Sequence, residues 1–398
     1  MSEIYLDYNA TAPIHSEVLE AMHPFLTEKF GNPSSLHSFG REAKVAVEDA
    51  REKVAKLINA HPSEIYFTSC GSESDNWAIK GILGANKNNG FDKLTIKRNH
   101  IITSKIEHQA VLETCKFLEE NGYSVTFLDV DKFGMVNPDN LRKAVRKDTV
   151  IVSIMHANNE VGTIQPIEEL AKISKEHNVL FHTDAVQSVG KIPVDVQKSG
   201  VDLLSISGHK LYAPKGIGVL FIKRGTKITP LMQGGKQERD RRAGTENVAA
   251  IVGLGKACEI AVRDLDEYQN KMKKLSETFL KKILDTIPDV YLNGHPTVRV
   301  PNTVNLSFNG CDGESIILGL DLEGVAVSSG SACSIGSLEP SHVLMAMGVA
   351  KHLTLGSVRF SFGRFNSMED VEYVCEILPG IVEKIRSLQP SYAATKSR

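Results

Sequence analysis

The chain has 398 residues, 41% of them hydrophobic and 24% charged, which excludes wholesale disorder and allows two or three domains of about 150 residues each. Lys and Arg total 46 against 48 for Asp and Glu, so the formal charge of −2 gives no electrostatic motive for coating a nucleic acid or an anionic membrane. No apolar run approaches the ~20 residues that cross a bilayer, and residues 1–7 lack the basic and apolar regions of a secretory signal. The 6 cysteines are scattered without CxxC pairing, so no disulfide framework is expected, and a reducing cytoplasm is the simplest location.

In chain order, apolar runs at 64–69, 100–104, 124–130, 150–155, 179–183, 203–207 and 218–222 predict strands. They are nearly continuous in hydrophobicity, as strands buried on both faces are. Helix-length stretches separate several of them, including 109–120 and 166–177. Such alternation over 60–225 predicts a mainly parallel sheet with helices on both faces. Ligands of these sheets bind beyond the carboxyl ends of the strands, so the residues just after each run matter most.

From 247 to 287 a helical period takes over: Val248, Ile251, Leu254, Cys258, Ala261 and, further on, Met272, Phe279 and Ile283 recur at helical spacing and mark one buried stripe. A helix of this length suits a bridge between two domains. A smaller α/β unit follows, with strands expected at 303–308, 326–328 and 358–362, a helix near 314–321 and a closing helix from Met368. We expect a large domain over 15–260 and a small domain built from 1–14 and 261–398.

Lys210 follows the apolar run 203–207 within Ser207-Gly208-His209-Lys210. A lysine at the mouth of a buried strand must be solvated, paired or covalently used, and desolvation suits it to forming an imine with an aldehyde cofactor. A plain surface turn would also explain it. Asp184 ends the run 179–183, with Gln187 three residues on. Its carboxylate could hold a pyridinium nitrogen protonated, or simply cap a following helix. Gly71 and Ser72 open a helical stretch after the run 64–69, an arrangement that favours phosphate but is common. Glu73 complicates that reading, because its carboxylate must point away from any phosphate. His108 offers a flat ring for stacking, or a cap for the next helix, and Asn159 adds an amide at the same edge. Cys333 lies among small residues from Ser328 to Ser337, which suits a reactive thiol as well as an inert one. Arg359 could grip a substrate carboxylate with its planar fork, or serve a structural ion pair.

Taken with Gly31-Asn32-Pro33-Ser34-Ser35, Asn158-Asn159-Glu160-Val161-Gly162, Arg242-Ala243-Gly244-Thr245 and Ser328-Ser329-Gly330-Ser331-Ala332-Cys333, these stretches make the chain resemble the cysteine desulfurases. Those are pyridoxal-phosphate enzymes of the class V aminotransferase family, and the loop around Cys333 is similar to the longer-loop, nitrogen-fixation and iron–sulfur branch. The resemblance implies an α/β chain of PLP-dependent transferase fold type I, with pyridoxal 5'-phosphate as cofactor and no metal. It implies that Lys210 binds the cofactor as an imine, Asp184 pairs with its ring nitrogen, His108 stacks on the ring and acts as a second acid–base group, and Gln187 contacts the phenolic oxygen near Asn159. Gly71, Ser72, Ser207 and His209 would hold the phosphate, with Thr245 reaching in from the other subunit of a homodimer. Cys333 would accept sulfur from L-cysteine, and Arg359 would anchor the substrate carboxylate. Partners implied are L-cysteine, a second copy of the chain and sulfur-acceptor proteins such as an iron–sulfur scaffold, with no membrane and no direct nucleic acid. The alternatives are a related enzyme, an aminotransferase or selenocysteine lyase, or a non-catalytic assembly scaffold. Small departures from the family pattern stand at Ala12, Ser72, Ser334 and Ile335.

Overall fold

The computed structural model describes residues 3–88, 98–329 and 340–388. A seven-stranded sheet runs in the order Ile65–Thr68, Gly218–Ile222, Leu203–Ser207, Leu180–Asp184, Thr149–Ser153, His100–Ser104 and Ser124–Leu128. The last five are mutually parallel. Gly218–Ile222 is antiparallel to both neighbours. A parallel return would need a crossover of a dozen or more residues, usually a helix. The connection from Ser207 to Gly218 holds only the short 3-10 turn Gly208–Lys210, so the chain doubles back.

Strand residues alternate between two cores. Ile101, Ile151, Leu203 and Leu220 pack with the helices Gly71–Asn88 and Gln109–Glu120. Their neighbours Ile102, Val152, Leu204 and Phe221 pack on the other face, against Ser38–Leu57, Ile167–Glu176 and the start of Val248–Thr286. Helices on both faces explain why these strands read as continuous apolar runs rather than alternating ones. Each fully buried side chain of this kind, such as Phe181 at 1% exposure, contributes roughly 1.5–3 kcal/mol.

The helix Val248–Thr286 has 39 residues and spans about 58 Å. Val248 to Ala261 feed the large core, whereas Tyr268, Met272, Leu275, Phe279 and Ile283 feed a second one. That second core lies on an antiparallel sheet of Ser357–Ser361, Thr303–Phe308 and Val290–Asn293, covered by Gly313–Leu322 and Met368–Ser387. The start of the chain returns to it, Ile4–Tyr5 pairing with Val325–Ala326. Two helices before the first predicted strand, Ser16–Thr27 and Ser38–Leu57, complete the large unit. Cys258 lies in the buried stripe, and all the described cysteines are free thiols. Among the described residues no helix is long and apolar enough to cross a membrane.

Candidate active site

In-register parallel pairing, with Asp184 beside Ser205 and Ser153 beside His182, brings the carboxyl ends of the central strands to one edge. There a cavity of about 590 Å³ opens between the large sheet and the strand Ser357–Ser361, its walls including Lys210, Asp184, His108 and Arg359. Lys210 enters from the turn Gly208–Lys210, and its Nζ donates to the backbone carbonyls of Asn9 and, at 2.6 Å, Ala10. Asp184 Oδ1 accepts from the Val186 N–H at 2.9 Å across a turn; no helix follows, so the simple capping reading does not apply. Burial pushes the Asp184 carboxyl up, against the pull of His108 and Lys210.

His108 does cap a helix: its Nδ1 accepts the Ala110 N–H at 3.1 Å at the start of Gln109–Glu120. That bond commits Nδ1 as an acceptor and leaves Nε2 to face the cavity that the ring lines. Burial lowers its pKa. Asn159 and Gln187 also line the cavity.

At the other end, Gly71 and Ser72 begin the helix Gly71–Asn88 and face Ser207 and His209. A Cβ on Gly71 would come within 3.0 Å of Val186 Cγ2 and 3.3 Å of Ser207 Cβ, so only glycine leaves this corner open. Glu73 is turned aside, its carboxylate accepting from Arg242 Nε at 2.9 Å and from the Ser69 N–H at 2.6 Å. Burial works to raise its pKa, but those donors hold it below the ordinary value. The neighbouring His209 ring meets Thr11 Oγ1 at 3.1 Å, and burial lowers its pKa to about 4, so it is neutral.

Arg359 makes the structural ion pair and keeps one donor uncommitted among the described residues. Nη2 pairs with Asp7 Oδ1 at 2.7 Å and Nη1 donates to the Asn159 carbonyl at 3.0 Å. Nε is buried with no hydrogen-bond partner among the described residues, a donor that an incoming carboxylate would satisfy.

Thr245 does not join this group; it lies exposed on the segment before the long helix, away from the cavity wall. Cys333 lies outside the described residues. The described ends that flank it do meet the site: Ser328 pairs with the Arg359 backbone, and His342 lines the cavity. Ser341 Oγ donates to the buried Glu160 at 2.5 Å, and His342 Nε2 meets the Glu107 carbonyl at 3.0 Å. Sequence reasoning assigned no role to His342, Glu160, Asp75 or Asn9, all of which line the cavity. The helix start at Ser341 is the one signal that could have drawn attention to His342.

The family described as aminotransferase class-V matches residues 4–374. The chain belongs to the class-V aminotransferase family. A cysteine desulfurase IscS of Dictyoglomus turgidum is 57% identical over 388 residues, covering 98% of this chain and 96% of the relative. A solved NifS-like protein superposes with a TM-score of 0.88 at 41% identity, covering 96% of this chain and 100% of that one. Another, described as SspA in complex with cysteine, gives a TM-score of 0.80 at 36% identity over 92% of this chain and 100% of its own.

The fold is therefore the PLP-dependent transferase fold of these proteins, and the cofactor is pyridoxal 5'-phosphate. The residues fit that group. Asp184 is a 5% exposed carboxyl with no ion pair among the described residues, as a pyridinium partner requires. The open corner at Gly71 joins hydroxyls of Ser72 and Ser207 to a helix start, which suits a phosphate.

Proposed function

We propose that this chain is a cysteine desulfurase that moves the sulfur of L-cysteine onto Cys333 as a persulfide and releases L-alanine. The observation that carries the reading is the convergence of Lys210, Asp184, His108 and Arg359 on one cavity from separate elements. When bound through Lys210, pyridoxal phosphate supplies an electron sink for charge developing on the substrate carbons. Asp184 keeps the ring nitrogen protonated, and its buried position makes that pairing strong. Gly71, Ser72, Ser207 and His209 hold the phosphate, Gln187 meets the phenolic oxygen, and His108 packs on the ring.

Arg359 and Asn159 orient the substrate, the Arg359 Nε taking a carboxylate oxygen. Lys210 Nζ carries the α-proton, and His108 Nε2 serves as the second proton carrier. The Cys333 thiolate then attacks the substrate sulfur: the Sγ–Sγ bond forms as the Cβ–Sγ bond breaks. The electron pair of the broken bond stays with the carbon skeleton and is protonated. Cysteine plus thiol thus gives alanine plus persulfide, with no outside oxidant. The persulfide passes to an acceptor protein such as an iron–sulfur scaffold.

The working unit is a homodimer, with Thr245 of each subunit completing the partner's phosphate site. Exposed Leu36 and Phe30, at 90% and 73%, support an apolar contact with a second copy. The division into a large domain over 15–260 and a small domain of 1–14 and 261–398 follows the hand-over between two cores along the long helix. Free thiols throughout the described chain favour the cytoplasm.

The test is Cys333→Ser. The variant binds pyridoxal phosphate and L-cysteine but releases no alanine, and mass spectrometry finds no persulfide on the protein. Alanine release at near wild-type rate would mean that a thiol other than Cys333 takes the sulfur, pyruvate with sulfide would point to β-elimination, and mercaptopyruvate to an aminotransferase.

A further inference from the structure

Lys191 lies on the turn beneath the cavity and is 3% exposed. Its Nζ donates to Gln187 Oε1 at 2.7 Å and to Asn9 Oδ1 at 2.9 Å. Among the described residues it makes no ion pair, and the charged groups that face it, Lys210 and Arg359, are also cations. Burial first, then those two cations, hold its pKa well below the ordinary lysine value. An amine in this setting is costly compared with a methionine of similar shape.

Its two hydrogen bonds decide the orientation of one amide. The Gln187 atom facing Lys191 is its oxygen, to which Lys191 Nζ can donate as ammonium or as amine. The other must be nitrogen, because it sits 3.0 Å from the Asn9 carbonyl, a pure acceptor. Gln187 therefore keeps its second N–H for whatever occupies the cavity it lines. Asn9 is itself fixed: its Oδ1 also receives Asn302 at 3.1 Å, and its Nδ2 donates to Thr303 Oγ1 at 2.8 Å. The Asn9 carbonyl that holds Gln187 also receives Lys210 Nζ, so one short network ties both lysines together.

We propose that Lys191 is a positioning residue: it locks the Gln187 amide with its N–H toward the cofactor's phenolic oxygen, and so lowers the proton affinity of Lys210 Nζ in the loaded enzyme. The inference rests on the Gln187 contact proposed above. A phenolic oxygen without its donor keeps more negative charge, and the adjacent nitrogen holds its proton to higher pH.

The test follows the visible absorption of the holoenzyme against pH in Lys191→Met, Gln187→Leu and the double variant. Lys191→Met moves the midpoint upward by about one pH unit, a tenfold change in proton affinity. Gln187→Leu moves it at least as far, and the double variant goes no further than Gln187→Leu alone. Lys191→Gln, which retains a polar head for Asn9 but is shorter, shifts it the same way and serves if Lys191→Met folds poorly. An unmoved midpoint in both Lys191 variants, with Gln187→Leu shifted, overturns the role of Lys191. Additive shifts overturn the route through Gln187. No shift in Gln187→Leu overturns the Gln187 contact itself, and the inference with it.

Discussion

At the scale of single residues, burial favours the neutral form of the carboxyls at and behind the cavity. In the proposed function Asp184 gains a cationic partner in the cofactor ring. Glu107, directly behind His108, does not. It is fully buried, accepting from Ser104 Oγ at 2.6 Å and from the Met155 N–H at 3.0 Å. Burial pushes its carboxyl up to about 8 despite those donors. The folded protein thus holds a proton that the unfolded chain releases above about pH 4.3, so this group's contribution to stability falls as pH rises toward 8 and is flat beyond. Glu107→Gln keeps the shape and the hydrogen-bonding groups but cannot ionise. The variant should melt close to wild type near pH 4.5 and a few degrees above it at pH 8. Equal melting temperatures at both pH values would show that Glu107 is ionised and solvated in the fold. Residues of this kind divide by how legible they are in sequence. Asp184, Ser207 and Lys210 stand at strand ends, where the sheet itself marks them. Asn9 and His342 reach the cavity only through tertiary packing, and Lys191 reaches Asn9 and Gln187 behind it; the helix start at Ser341 is the one local sign among them.

At the scale of elements, the strands and the long helix are legible because burial on both faces gives unbroken apolar runs, and burial on one gives a helical period. The helices Ser16–Thr27 and Ser38–Leu57 are not. Both are capped by histidines, His15 and His37, whose Nδ1 atoms replace the usual Ser, Thr, Asp or Asn signal. The direction of Gly218–Ile222 is legible only from the connection 208–217, too short for a crossover helix, since composition carries no sign of parallel or antiparallel pairing. Ser38–Leu57 also anchors the segment that carries Arg242 and Thr245. Arg51, 3% exposed, makes a two-pronged pair with Glu238 at 2.8 and 2.9 Å, and Glu238 also accepts the Phe67 N–H at 2.8 Å. Arg51→Met strands a buried carboxylate and should cost about 3–5 kcal/mol of stability. Adding Glu238→Gln should recover much of that loss, because the uncompensated charge is then gone. A loss below about 1 kcal/mol for Arg51→Met would mean that water reaches Glu238 and the segment is not held by this pair.

At the scale of the whole molecule, the proposed homodimer would complete a site that one subunit begins. The proposed phosphate corner has Gly71, Ser72, Ser207 and His209, and the lysine and arginine among the cavity walls are Lys210 and Arg359, the latter paired with Asp7. Thr245, which family resemblance assigns to a phosphate, is exposed on the outside of the same subunit. Phe30 and Leu36, between the first two helices, and Phe39, at the start of the second, are exposed apolar side chains that a lone chain would present to water. A two-fold dimer reconciles these facts, because an isologous interface would bury the apolar group and offer each Thr245 to the opposite site. The prediction is complementation. Lys210→Ala homodimers lack the imine-forming amine, and Thr245→Asp homodimers set a carboxylate against the phosphate. In a hybrid, the subunit with Lys210 receives an intact Thr245 from its partner, and one good site results. Random pairing on co-expression makes about half the dimers hybrid, so activity should return to about a quarter of wild type. Recovery absent from hybrids that have been isolated by differential tagging would show that Thr245 serves its own subunit, and a fully active monomer in sedimentation would remove the dimer altogether.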